Sequence, residues 1–152
     1  MDRKNDRFDE LTMTESDVQK VLYDRFCSKK NHPMVVPNCK ALYPRGESDL
    51  ISVTQAGLVH EFEIKRSKSD YLREFDSKSR KHEVLKERVS RDGKCTPNYF
   101  WFAMDRCLCD KIEVPEYAGL ICVGTSGIEV RKKAPRRHSD HITERAEDYL
   151  KR

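Results

Sequence analysis

The chain has 152 residues, 37% of them hydrophobic and 37% charged, with a formal net charge of +4. That length and apolar share fit one domain with one core, and the charged share predicts a densely ionic surface. No window approaches 18 apolar residues and residues 1–7 hold no apolar h-region, so neither a membrane span nor a secretory signal is expected. Six cysteines are too sparse for a disulfide scaffold, and reduced thiols in a cytosol are the expectation.

Residues 1–13 are polar and unpatterned, which predicts a flexible N-terminus. Thr14 to Asp17 reads as a capping box. Val18, Val21, Leu22 and Phe26 follow at helical spacing and predict a helix over roughly 15–29, broken by Asn31-His-Pro. Residues 34–39 form a short strand candidate weakened by Pro37. Residues 49–54 and 58–65 predict a hairpin around Gln55-Ala-Gly. Ser67 to Asp70 reads as a second capping box. It opens a helical stretch to about residue 91 with Leu72, Phe75, Leu85 and Val89 as its apolar side, and Ser77 and Ser79 can divide it. Residues 98–104 are the most aromatic run and predict a central buried strand. Residues 120–131 predict a hairpin across Gly124 to Gly127. A short polar helix is the expectation over 139–151. The order predicts an α/β fold, a mixed sheet with helices packed on it.

Charge is unevenly placed. Residues 131–137 carry five positive charges, Arg131, Lys132, Lys133, Arg136 and Arg137, and without them the balance turns slightly negative. Residues 65–94 hold eleven Lys/Arg against six Asp/Glu. Such stretches fit a polyanion partner, nucleic acid first, or simply a solvated face. In the second stretch Arg66, Lys68, Lys78 and Lys81 are the candidates for contacting phosphate.

The strand over 58–65 carries the main anomaly. Strand side chains alternate faces, so Phe62 and Ile64 point into the core while Glu61, Glu63 and Lys65 share the other face. If helices cover that face, the charges are buried at a cost unless something binds them. Across the hairpin, Asp49 approaches Glu63 and Lys65. Two carboxylates beside a lysine suit a hard cation such as Mg²⁺, which takes oxygen ligands and keeps waters. The ion would activate water and polarise a P–O bond, and the ammonium would offset charge on phosphate. The same three residues also fit an exposed, salt-bridged strand. Glu15 falls at i, i+3, i+7 with Val18 and Leu22. It either lines the site or suits the helix dipole of the first turn. The cysteines, Cys95, Cys107, Cys109 and Cys122 among them, lack chelate spacing and read as small buried thiols rather than a zinc or iron–sulfur site.

Asp49 … Glu63-Ile64-Lys65 resembles the signature of the PD-(D/E)xK nucleases, with Ser48 where the name has proline. The run 63–72 and the pieces 99–103, 114–121 and 130–135 are similar to the MmcB-like branch, DNA-repair endonucleases of bacteria and phages. The resemblance runs from about Thr14 to Pro135 and implies a restriction-endonuclease-like core over 14–135 and a basic tail over 136–152. It implies Asp49, Glu63, the Ile64 carbonyl and Glu15 as metal ligands, and Lys65 as the catalytic lysine. The activity implied is Mg²⁺-dependent cleavage or nicking of DNA, with Mn²⁺ substituting, inside a bacterial or phage-infected cell. A binding-only DNA module of the same fold and a protein-interaction subunit of a larger nuclease complex are the rival readings. Dimerisation stays open.

Overall fold

The computed structural model describes residues 13–40, 47–87, 96–125 and 127–142. Helix α1, Glu15–Tyr23, starts from a reciprocal cap: the Thr14 amide donates to Asp17 Oδ2 at 2.8 Å and the Asp17 amide to Thr14 Oγ1 at 3.1 Å. It runs straight into a π-helical segment, Asp24–Lys29. Strands β1 (Met34–Cys39), β2 (Ser48–Val53) and β3 (Val59–Ile64) follow. Helices α2 (Lys68–Ser77) and α3 (Ser79–Lys86) lead to β4 (Tyr99–Asp105). A short α4 (Arg106–Cys109), which the sequence reading missed, is capped by Asp105 Oδ1 accepting from the Leu108 amide at 2.9 Å. Strands β5 (Ala118–Gly124) and β6 (Gly127–Lys132) complete the set.

The fold is α/β, with one six-stranded mixed sheet in the order β1-β2-β3-β4-β5-β6 flanked by helices. The first three strands are antiparallel, β3, β4 and β5 are parallel, and β6 turns back antiparallel to β5. Strand β1 is an edge, where a strand proline such as Pro37 is tolerated. The aromatic strand β4 is central, as its composition predicts.

Each sheet face has its own core. On one, Val18, Leu22 and Phe26 pack on Leu50, Phe62, Ile64, Trp101 and Ile121. On the other, Tyr71 and Leu85 pack with Phe100, Phe102, Met104, Leu108 and Leu120. Each large apolar side chain buried this way contributes about 1.5–3 kcal/mol. Gly119 lets the Trp101 ring and the backbone of Ala134 close in: a Cβ there would lie 2.7 Å from the Ala134 nitrogen.

Several expectations need correction. The second capping box is half formed: Ser67 accepts from the Asp70 amide, but Asp70 Oδ2 takes the Arg66 amide. The long helix divides at Lys78, as Ser77 and Ser79 suggested, and ends at Lys86 because Glu87 is already extended. Its inward side holds Tyr71, Glu74, Lys81, His82 and Leu85, whereas Leu72 is exposed. Val89 and Cys95 lie outside the described residues, as do 1–12 and 143–152. Met13, given to the N-terminus, packs against the α1 core.

The boundary at 135 also moves. Residues 136–142 belong to the fold: the Arg137 amide donates to Asn98 O and the Ile142 amide to Gly57 O, each at 2.8 Å. Buried Asn98 clamps this run, donating to His138 O at 3.0 Å and Asp140 O at 2.9 Å while accepting from the Val59 amide. Residues 139–142 are therefore not helical: the Ile142 amide and the Asp140 carbonyl bond to the body of the protein.

Candidate active site

Strand β3 alternates as its sequence requires. Phe62 and Ile64 enter the α1 core, while Glu61 and Glu63 face α2 and α3. The helices close over them: Glu61 is 0% exposed and Glu63 1%. Lys65 and Lys81, at 7% and 8%, are buried with them. A buried ion left unpaired costs several kcal/mol, so each of these must find a partner.

The partners come from the helices. Lys81 Nζ lies 2.8 Å from Glu61 Oε1, 2.5 Å from Glu63 Oε1 and 3.6 Å from Glu74 Oε1. Lys78 Nζ lies 3.1 Å from Glu63 Oε1 and 3.5 Å from Glu74 Oε2. Lys65 Nζ lies 2.6 Å from Glu74 Oε2. His82 meets Glu74 through Nε2 at 3.2 Å and the Tyr117 hydroxyl through Nδ1 at 2.6 Å. Three carboxylates and three ammonium groups thus alternate in one continuous network. Burial alone would raise Glu63 and Glu74. For Glu63, Lys81 and Lys78 outweigh it, and for Glu74, the His82 hydrogen bond, Lys81 and Lys65 do, so both acids titrate below their ordinary range. Burial pulls Lys81 down, but the three carboxylates around it hold it above the usual lysine value.

Asp49 stands outside this neutralised set. The β2–β3 ladder ends at Leu50 and Phe62, and Asp49 Oδ2 accepts the next amide, that of Ile64, at 2.8 Å. Gln19 of α1 donates from Nε2 to Asp49 O at 2.9 Å and to Asn38 Oδ1 at 3.0 Å, fixing the start of β2. Burial, then the Glu63 carboxylate beside it and the hydrogen bond between the two acids, push the Asp49 carboxyl up to about 8. The Ile64 amide opposes this only in part. Two adjacent carboxyls that cannot both ionise comfortably need either a proton or a cation between them. A Mg²⁺ ion held by one or two carboxylates and waters fits that need. Among the described residues no three His, Cys, Asp or Glu side chains converge as a ready-made metal cage.

The structure brings Asp49 and Glu63 together, as expected, and separates the other expected members. Lys65 shares their sheet face, but its ammonium is on Glu74. Glu15 is exposed in the first turn of α1, not on the core stripe, and its charge raises Asp49 less than burial or Glu63 does. Among the residues expected to contact phosphate, Arg66, Lys68, Lys133 and Arg136 are exposed. Lys81 is a correction: it is buried and committed to three carboxylates. Lys78 also turns inward, though its side chain stays 32% exposed.

Arg137 is a second correction. It is 2% exposed and caps the end of α3, giving Nε to Leu85 O at 2.8 Å and Nη2 to Val84 O and Glu87 O at 2.8 and 2.9 Å, with Nη1 on Pro97 O. Arg131 is exposed but tied to Asp110 at 2.6 Å and Glu129 at 3.1 Å. Lys132 donates to Pro115 O at 2.7 Å. The basic run is therefore largely engaged by the fold.

Gln19 and Glu74 are site residues the sequence reading missed. Positions 71, 74, 75, 78, 82 and 85 follow helical spacing, so the charged members of that stripe were a legible signal for Glu74. Gln19 left none, because its partners are a carbonyl and an Asn side chain brought close only by folding. Tyr71 is core: it is 5% exposed, with its hydroxyl on Glu113 O at 3.1 Å. Cys109 and Cys122 are buried, and the Cys109 thiol is raised by burial first and then by Cys122.

No protein-family model matches the chain, and no curated protein does. Among solved structures, a protein of unknown function from Silicibacter pomeroyi is similar, with a TM-score of 0.62 at 14% identity. The alignment covers 93% of this chain and 84% of that one, and it shows the fold alone.

Proposed function

We propose that the protein is a metal-dependent DNA phosphodiesterase with a restriction-endonuclease-like core. The observation that carries the reading is the Asp49–Glu63 pair, two abutting carboxyls at the open end of the β2–β3 ladder, one of them raised to about 8 by burial and by the other. The order of a helix, three antiparallel strands, a helical crossover and a parallel fourth strand supports it.

Asp49 and Glu63 would hold Mg²⁺ or Mn²⁺. When bound, the ion supplies Lewis acidity and a water of lowered pKa. The chain's own residues do the rest. The Ile64 amide aims Asp49, and Gln19 fixes the backbone that carries it. Lys81 fixes Glu63 from the buried side. Lys65 is held on Glu74, so the helper role passes to Lys78. That lysine touches Glu63 at 3.1 Å and still reaches solvent, where it can offset charge on a phosphate. Exposed Arg66 and Lys68 follow β3 directly and can track a DNA backbone.

The test is a panel of labelled single-stranded, duplex, branched and nicked DNAs with Mg²⁺ or Mn²⁺. Cutting of at least one DNA, lost with chelator and in Asp49→Ala or Glu63→Ala protein, is expected. Activity that survives both substitutions overturns the reading. The neutralisation of Glu63 by Lys78 and Lys81 favours a second reading, a DNA-binding module without catalysis. Its mark would be tight DNA binding that Mg²⁺ leaves unchanged, with no cutting.

A further inference from the structure

A cavity of about 370 Å³ lies between α1 with its π-helical end and the β5–β6 turn. It is on the α1 side of the sheet, away from the ion network. Lys20, Asp24, Arg25, Lys29, Thr125 and Ile128 line it. Three cations against one carboxylate give the walls a net charge of about +2. None of the three cations forms an ion pair among the described residues.

Arg25 supplies a second, independent sign. Its Nε is buried and has no hydrogen-bond partner among the described residues, and there it is the one buried side-chain donor in that condition. Around Glu63 and Arg137, by contrast, buried charge is met by close partners. An orphaned buried donor costs about 1–3 kcal/mol, and the side chain that carries it belongs to a residue lining the cavity. The backbone at Arg25 is fixed by the π-turn, with the Lys30 amide on Arg25 O at 3.0 Å. Such turns recur at functional sites.

We infer that this cavity binds a phosphate group on a nucleotide-sized ligand. A guanidinium presents planar donors that match phosphate oxygens, and two lysines add point charges. A phosphate dianion cancels the net charge of the walls, whereas a carboxylate leaves half of it. The volume exceeds a bare phosphate and falls in the range of small-molecule sites, leaving room for an attached nucleoside. The inference does not depend on the Asp49–Glu63 reading, since it uses neither acid.

The test is calorimetry on the full chain in chelator, which removes any metal-borne phosphate binding. The probes are pyrophosphate and a short oligodeoxynucleotide with or without a 5′-phosphate. Pyrophosphate should bind, weaken at least tenfold in Arg25→Met, and tighten in Asp24→Asn. A preference for the 5′-phosphorylated strand that vanishes in Arg25→Met assigns the phosphate to a strand end. Equal binding of both strands, with pyrophosphate still dependent on Arg25, assigns it to a free phosphate compound. No binding of pyrophosphate to the native protein overturns the inference, as does binding within twofold of native in folded Arg25→Met. If Arg25→Met does not fold, the exposed double variant Lys20→Gln/Lys29→Gln decides: it must weaken pyrophosphate binding, and unchanged binding overturns the inference.

Discussion

Lys65 Nζ lies 2.6 Å from Glu74 Oε2, and both groups are buried. The lysine whose spacing suggested a chemical helper instead ties α2 to the sheet through Glu74. Lys78, one helical turn after Glu74, is the cation that meets Glu63 and solvent together.

This division of roles separates two variants. Lys65→Met leaves a buried carboxylate short of a partner and should lower stability by about 3 kcal/mol. Lys78→Met, at a side chain about one-third exposed, should cost less than about 1 kcal/mol. On DNA the order reverses: Lys78→Met should cut at least tenfold more slowly at saturating metal, a barrier increase of about 1.4 kcal/mol. Denaturant melts and single-turnover rates on both proteins check this. A Lys65→Met protein of native stability that fails to cut returns the helper role to Lys65.

Asp49 gives the protein an unusual pH response. Its carboxyl is raised from an ordinary 3.8 to about 8, so the native state keeps a proton that the unfolded chain releases. Stability from this group therefore falls as pH rises from about 4 to about 8, and changes no further above that. Asp49→Asn keeps an acceptor for the Ile64 amide without ionising. It should flatten that part of the profile and be at least as stable as native protein at pH 8.5. Urea denaturation at half-unit intervals reads the slope, and an undiminished decline in the variant would show that Asp49 is ionised in the metal-free fold.

The network around Lys81 predicts an exchange of cations. Lys81→Met removes the ammonium that three carboxylates share, and metal-free protein should lose about 3–5 kcal/mol of stability. Mn²⁺ should then raise the melting temperature of the variant more than that of native protein, because binding to the folded state stabilises it by mass action. An equal or smaller rise in the variant would mean that these acids do not take a divalent ion.

The basic run divides into structural and free charges. Arg137→Met removes donors from four carbonyls and should destabilise the fold by about 3 kcal/mol or more. Lys133→Gln/Arg136→Gln should leave the melt unchanged. On duplex DNA that double change should reduce the slope of log K against log salt by about 1.8, at 0.9 per phosphate contact. An unchanged slope would take these two residues off the DNA.

Much of this protein is legible in its sequence. The period-2 pattern of residues 58–65 fixes which side chains of β3 are apolar and which are charged, because backbone geometry alone alternates them. Turn residues and aromatic runs place the strands, and the hairpin geometry brings Asp49 to Glu63. Tertiary structure decided what those charges meet. Helix rotation cannot be read from Leu72 and Phe75 alone, and it turns Glu74, Lys78, Lys81 and His82 onto the acids instead of toward solvent. Arg137 looked like one more member of a basic run until the chain carried it back beneath α3, 50 residues away in sequence from Glu87. Such pairings depend on long-range packing, where burial makes an unpaired charge cost more than any local preference can offset.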